Sequence, residues 1–230
     1  DELDEAGVTT VRVLFSDLHG IARGTEVPAG EFARVAEDGL TFCAAIMGTD
    51  LRHTPVVGAE AGYPDLIARP DPSTLAPVPW EPGVAWCIAD VAPASSDHVP
   101  ADPRGAVRRA VAAFEQLGYR PVVGPELEFY LCVPDEAAAH GLRRYVDAFS
   151  MVYRVGPQAD PDGVVREIAD AVSGLGVRAY AANHEFGNAQ YEINLRHAPA
   201  LAACDRAFQL KTAVKDVAAA RGLIATFMGK

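Results

Sequence analysis

Lysine is scarce in this chain. Only Lys211, Lys215 and Lys230 occur in 230 residues, and the twenty basic side chains nowhere gather into a cluster. Against 31 acidic residues this leaves a formal net charge of −11. A surface that tracks phosphate backbones or anionic lipid needs a positive patch to release counterions, so neither nucleic acid nor a membrane surface is expected as a partner. Cysteine is equally sparse: Cys43, Cys87, Cys132 and Cys204 lie far apart without a Cys-x-x-Cys pair. That spacing supports neither a zinc ribbon nor a disulfide scaffold, and reduced buried thiols are the expectation. Uninterrupted apolar runs of about 18 residues, the length of a membrane span, are missing. The opening Asp1-Glu2-Leu3-Asp4-Glu5 is acidic where a secretory leader is basic and then apolar. Together these absences predict a soluble, cytoplasmic protein.

Half the residues are apolar. A chain of this length buries roughly 70% of its unfolded surface, enough for one large or two medium domains without a metal or disulfide staple. The β-branched stretch from Val8 to Phe15, the tight turn Asp17-Leu18-His19-Gly20 and an extended piece near Glu26-Val27 predict an opening hairpin. Seven prolines between residues 54 and 82 leave room only for short extended pieces such as Asp65 to Arg69. A strand over Val84 to Val91 follows. The small, polar stretch Pro93 to Pro100 then marks a domain boundary near residue 100, with domains over 1–100 and 101–230.

Beyond it the periodicity turns helical, through Val107, Ala110, Val111, Phe114 and Leu117, with Asp102 as N-cap, Pro103 at the first helical position and Gly118 as a stop. Further helices are predicted at about 162–175 and 200–220. Strands are predicted near 120–133, 177–183, 190–196 and 223–228.

The chemistry concentrates in carboxylates. In Gly124-Pro125-Glu126-Leu127-Glu128-Phe129-Tyr130-Leu131, strand alternation sends Glu126, Glu128 and Tyr130 to one face and Leu127, Phe129 and Leu131 to the other. At about 3.3 Å per residue the two glutamate stems stand roughly 6.6 Å apart. Gln190, Glu192 and Asn194 likewise share a face opposite Tyr191, Ile193 and Leu195, and Glu185 lies seven residues before Glu192 across a bend at Gly187-Asn188. If both strands line one sheet, four glutamates converge without a neighbouring lysine, and Mg²⁺ or Mn²⁺ is the natural counter-charge for such hard oxygen ligands. A Glu-x-Glu on a strand is more often only the solvated face of an antiparallel sheet, and spacing alone does not decide between the two.

At these residues the sequence resembles the glutamine synthetase family. Gly124 to Tyr130 is similar to that family's G-x-E-x-E-F-y strand, and Glu185-Phe186-Gly187-Asn188-Ala189-Gln190-Tyr191-Glu192 to its E-x-G-P-G-Q-x-E segment. Asp205 to Lys215 and Ala225-Thr226-Phe227-Met228-Gly229-Lys230 resemble its next helix and a-T-F-M-x-K-P strand, and Asp102-Pro103-Arg104 its D-P-R helix start. Upstream, Phe15 to Gly20 and Pro70-Asp71-Pro72-Ser73-Thr74 through Pro79-Trp80 match the hairpin and the P-D-x-x-T…P-W segment of its small domain.

The resemblance implies an α+β fold: a small N-terminal β-grasp domain followed by part of a catalytic domain with a curved antiparallel sheet. It implies a ring-shaped homo-oligomer whose sites form between the catalytic domain of one subunit and the small domain of its neighbour. Carried over residue by residue, Glu128, Glu185 and Glu192 hold the metal ion nearer the substrate glutamate, and Glu126 contributes to the ion on the nucleotide phosphates. Arg196 and His197 fall where family members approach the nucleotide. The implied reaction is ATP-dependent: glutamate's side-chain carboxylate is phosphorylated, and ammonia or an amine displaces phosphate. No residue is assigned to proton transfer.

Two departures qualify this. Ammonia-using members carry an F-D-G-S-S-type stretch whose aspartate helps hold ammonium, whereas this chain reads Phe42-Cys43-Ala44-Ala45-Ile46. An uncharged lining suits an alkylamine, such as a polyamine or ethanolamine, and points to the gamma-glutamylpolyamine synthetase-like branch, with ammonia as the alternative acceptor. Asn188-Ala189 also replaces Pro-Gly beside Glu185 and Glu192. The family continues for about as long again after Lys230, with a metal-binding histidine, phosphate-gripping arginines and a further glutamate, so a protein ending there is expected to be inactive alone. Outside this class, no His-x-x-x-His or Glu-x-x-His spacing supports zinc hydrolysis. A binding or assembly protein has no evident use for four converging charges.

Overall fold

A computed structural model describes residues 2–56, 62, 64–93, 102–147 and 152–228. The boundary stretch 94–100 and the Gly229-Lys230 end of the last motif lie outside these residues. The chain divides into two compact units, Asp1–Pro121 and Val122–Lys230.

The first unit begins with helix α1 (Glu2–Glu5), strands β1 (Thr10–Ser16) and β2 (Ala22–Pro28), and helix α2 (Phe32–Asp38). Strands β3 (Leu40–Cys43), β4 (Asp65–Pro70), β5 (Ala76–Pro77) and β6 (Val84–Pro93) follow, then helix α3 (Pro103–Gln116). The sheet runs β2-β1-β6-β4-β3, with β5 beside β6. Strand β1 lies antiparallel to β2, as the hairpin pattern predicts, and parallel to β6, Val11 facing Ala85 and Val13 facing Cys87. Val11, Val13, Phe15, Leu66, Ala68, Cys87 and Ala89 form the buried face, and α2 closes it with Phe32 and Val35.

Helix α3 is capped as its sequence predicts: the Asp102 carboxylate accepts from the Gly105 amide at 2.8 Å, with Pro103 in the first turn. It is fastened by charge. Arg104, 8% exposed, pairs with Asp71 and Asp90 at 2.8 Å each, and Arg108 reaches Asp90 at 2.7 Å. The predicted apolar stripe is open instead of covered, with Phe114 48% and Leu117 73% exposed. Amphipathic spacing finds a helix without saying what covers it.

The second unit contains strands β7 (Val122–Val123), β8 (Glu128–Pro134) and β9 (Leu142–Arg144), helix α4 (Val164–Gly174), and strands β10 (Ala179–His184), β11 (Gln190–Leu195) and β12 (Ala198–Pro199). Helix α5 (Ala200–Ala220) and strand β13 (Ile224–Thr226) complete it. Strands β10-β11-β8-β13 form an antiparallel sheet in that order, with β9 beside β8 and an irregularity between Ala179 and Ala181 that bends the edge. Phe129, Leu131, Tyr191, Ile193 and Leu195 are buried on one face. Helices α4 and α5 supply Val165, Ile168, Val172, Leu210, Val214 and Val217 to the same core. Asp160 caps α4, its carboxylate accepting from the amides of Val164 and Val165 at 2.9 and 3.0 Å.

The single strand expected over 120–133 is two. Residues 124–127 break it, so β7 pairs with β12 and β8 joins the main sheet. Gly124-Pro125 explains the interruption, since proline lacks the amide that a central strand must donate. Among the described residues no helix is long and apolar enough to cross a membrane.

Candidate metal and nucleotide site

Register brings the carboxylates together. Strand β11 pairs with β8 so that Glu192 stands directly opposite Glu128, and with β10 so that Glu192 faces Asn183 on its other side. Direct cross-strand partners have Cβ atoms about 4.5–5.5 Å apart, so two like charges share one patch of the face opposite the helices. Glu128 is exposed and Glu192 half-buried, and among the described residues neither is ion-paired. The face is otherwise polar: Gln190 and Asn194 are buried on it, and Asn183 donates to the Asn194 side-chain oxygen at 3.0 Å.

Glu185 follows β10 in the turn that leads into β11. It is half-buried, and its amide donates to the Gln190 carbonyl at 2.8 Å. This turn is tightly determined. Gly187 donates its amide to Gln190 Oε1 at 2.8 Å, and a Cβ at Gly187 would come within 2.6 Å of that oxygen and 2.8 Å of the Tyr130 hydroxyl. A Cβ there would force the Gln190 and Tyr130 side chains to shift. Ala189, fully buried, holds φ 55°, a left-handed conformation that favours glycine. The replacement of Pro-Gly by Asn188-Ala189 therefore keeps a turn of glycine-like backbone, and Asn188 ties it to Asp147 at 3.0 Å.

His184 turns away from Glu185, as alternation predicts. It is 2% exposed, its ring meets Tyr191 edge-on at 4.8 Å, and Nδ1 donates to the Glu185 carbonyl at 2.8 Å. Burial holds its pKa below the ordinary 6.5. Tyr191 in turn donates its hydroxyl to Ala159 at 2.6 Å. Both side chains anchor the turn from the core side.

Glu126 lies in the 124–127 break, not on β8. It is exposed and lines a cleft of about 270 Å³ with Gly124, Pro125, Tyr180, Asn194, Arg196 and His197. The Arg196 guanidinium sits 5.9 Å from the centre of the Tyr180 ring. The six residues singled out in the sequence thus fall into two neighbouring sets: Glu128, Glu192 and the Glu185 turn on the sheet, and Glu126, Arg196 and His197 in the cleft. Among the described residues no three potential ligands converge to a finished metal centre. The donors nonetheless fit a hard dication in kind, since Glu128 and Glu192 offer only carboxylate oxygens and face one another with no ion pair among the described residues.

One contact is not legible from motif spacing. The Gln190 amide donates to Glu128 Oε2 across the diagonal between β11 and β8. Alternation places Gln190 on the polar face; the bond becomes visible only once the register is known. Arg144, stacked 3.8 Å over the Tyr130 ring, is a second residue that the sequence pattern does not reveal.

The model of the glutamine synthetase catalytic domain matches residues 100–230. A glutamate–isopropylamine ligase of a Pseudomonas species is 32% identical over 241 residues, covering 100% of this chain and 52% of its own. A glutamine synthetase of Pyrococcus horikoshii is 34% identical, covering 96% and 46%. A gamma-glutamylethanolamide synthetase of Streptomyces coelicolor is 31% identical, covering 97% and 50%. Among solved structures, a GmaS/ADP complex superposes with a TM-score of 0.84 at 32% identity, over 100% of this chain and 51% of that one. The chain spans about half the length of the curated relatives it matches.

Proposed function

The chain belongs to the glutamine synthetase family, and on that premise we propose that it forms part of an ATP-dependent ligase joining glutamate's side-chain carboxylate to an amine. The observation that carries this reading is the opposition of Glu128 and Glu192 on the open face, beside a cleft that pairs Glu126 with Arg196 and His197. In the proposed reaction a carboxylate oxygen of glutamate attacks the γ-phosphorus of ATP, giving gamma-glutamyl phosphate and ADP. The amine nitrogen then attacks the acyl carbon, phosphate departs, and the nitrogen gives up a proton.

Every partner in the first step is anionic. Two or more Mg²⁺ or Mn²⁺ ions would supply the positive charge on the transferring oxygens, the largest requirement of phosphoryl transfer. The protein's share is placement. Glu128, Glu185 and Glu192 would hold one ion and Glu126 would contribute to another, while Arg196 and His197 line the nucleotide side.

For the acceptor, the uncharged Phe42-Cys43-Ala44-Ala45-Ile46 favours an alkylamine over ammonium, which needs a carboxylate beside it. In the structure this segment is the end of β3 and a 3-10 turn over Ala44–Gly48. Relatives acting on isopropylamine and ethanolamine are consistent with this choice, and the glutamine synthetases keep ammonia as the alternative. The reading extends to a β-grasp domain over 1–100, a catalytic domain from 101 onward, and a ring-shaped homo-oligomer in which one subunit's first domain completes its neighbour's site. A coupled ATPase assay of the intact protein with glutamate and a panel of amines tests it. Turnover that depends on an alkylamine supports the reading, turnover with ammonia alone transfers it to glutamine synthesis, and no glutamate-dependent turnover refutes it.

A further inference from the structure

We propose that Gln190 is the positioning residue of the metal site: its amide holds one oxygen of Glu128 and so sets that carboxylate beside Glu192 before an ion arrives. This deepens the metal reading above and rests on it.

The two glutamates are directly opposed, and like charges in that relation push apart. An exposed glutamate at a strand end has several rotamers with which to escape. Gln190 removes that freedom. Its own side chain is 2% exposed and held at both ends, Oε1 accepting from the Gly187 amide at 2.8 Å and Nε2 donating to Glu128 Oε2.

The orientation of the amide is dictated by chemistry. A backbone N–H only donates, so Oε1 must face Gly187 and the NH₂ group must face the carboxylate. Glutamate at 190 could not serve both partners when ionised, and an apolar side chain could serve neither.

The surroundings enforce the arrangement. Gly187 approaches closely because it lacks a Cβ, which would collide with both Gln190 Oε1 and the Tyr130 hydroxyl. Tyr130, the cross-strand partner of Gln190, is pinned in turn by the Arg144 guanidinium over its ring. The line Arg144, Tyr130, Gly187, Gln190, Glu128 therefore converts a rigid turn into a fixed carboxylate. Glu128 Oε2 is engaged by Gln190, so Oε1 is the oxygen that offers both its lone pairs to a cation. Groups that orient a metal ligand in this way alter affinity about 10–100-fold when removed.

The test uses the intact protein and Mn²⁺ alone, read by titration calorimetry, with thermal unfolding in EDTA as the check on folding. Gln190→Met keeps the volume and deletes both hydrogen-bonding ends. The expected result is Mn²⁺ binding weakened about 10–100-fold. Glu128→Ala separates the two levels of the argument. If Glu128→Ala loses the tight site and a folded Gln190→Met does not, the role of Gln190 is overturned while the metal site stands. If Glu128→Ala binds Mn²⁺ as the wild type does, both fall. A crystal structure of the wild type with Mn²⁺ decides the point without any variant. Glu128 bound through one oxygen, its other still on Gln190 Nε2, supports the proposal; Glu128 bound through both oxygens, or Gln190 rotated away, overturns it.

Discussion

The opposition of Glu128 and Glu192 has an energetic consequence that a single substitution exposes. Glu192→Gln keeps the shape of the side chain and removes one of two facing charges. Taking the charges at the cross-strand Cβ spacing of about 4.5–5.5 Å, with an effective dielectric between about 20 and 80, the repulsion is about 0.8–4 kcal/mol. Glu128 is exposed, so solvent screening places the value near the lower end, about 1 kcal/mol. In EDTA, Glu192→Gln is therefore expected to be about 1 kcal/mol more stable than the wild type by urea unfolding, with the difference shrinking as salt rises. Mn²⁺ is expected to reverse the order. At a hundredfold excess over its dissociation constant the ion stabilises the wild type by about 2.7 kcal/mol. A variant that binds it 10- to 100-fold more weakly gains only about 0.4–1.4 kcal/mol. Stability traded for a cation site is the signature of a functional carboxylate pair. Equal or lower stability of Glu192→Gln in EDTA, or an undiminished Mn²⁺ gain, would refute the reasoning.

Four further outcomes follow from particular contacts. Ala189→Gly relaxes a left-handed alanine worth about 1–2 kcal/mol and costs about 0.5–1 kcal/mol in unfolded-chain entropy, so a net stabilisation of about 0.5–1 kcal/mol is expected in denaturant unfolding. Arg104→Met leaves Asp71 and Asp90 with only the more exposed Arg108 and should destabilise the protein by about 2 kcal/mol, below the about 3–5 kcal/mol typical of fully buried pairs because both aspartates are partly exposed and keep that second cation. Burial pushes the Cys87 thiol from an ordinary 9.0 up to about 11, so brief iodoacetamide treatment at pH 8 should label exposed Cys43 and spare Cys87 by peptide mass spectrometry. The neutral thiol's contribution to stability is complete below about pH 9 and is lost as pH rises through about 11, and Cys87→Ala should flatten unfolding curves in that window.

The sequence was most legible where one residue type fixes a local conformation. Asp102 and Pro103 announce the start of α3, the apolar spacing at Val165, Ile168 and Val172 announces α4, and alternation in Gln190 to Leu195 separates the polar face of β11 from its buried one. What it left open are relations between distant segments. Alternation places Glu128 and Glu192 on polar faces, but only the strand register sets them opposite one another, and a shift by one residue would send either into the core. The break at residues 124–127 moves Glu126 from the expected strand into the cleft with Arg196 and His197, because Pro125 competes with a strand propensity that reads through it. Gln190 carries no signal of its own, since its task depends on a diagonal neighbour and on the missing Cβ of Gly187. The open stripe of α3 is the converse case, a pattern read correctly as helix whose apolar residues Phe114 and Leu117 are exposed.

Anomalous diffraction from crystals of the intact protein grown with Mn²⁺ tests the central claim most directly. The account predicts a manganese peak on the sheet face ligated by Glu128, Glu185 and Glu192, with metal–oxygen distances near those of hard octahedral dications, about 2.0–2.2 Å. Manganese bound elsewhere, with these three carboxylates left to solvent, would contradict it.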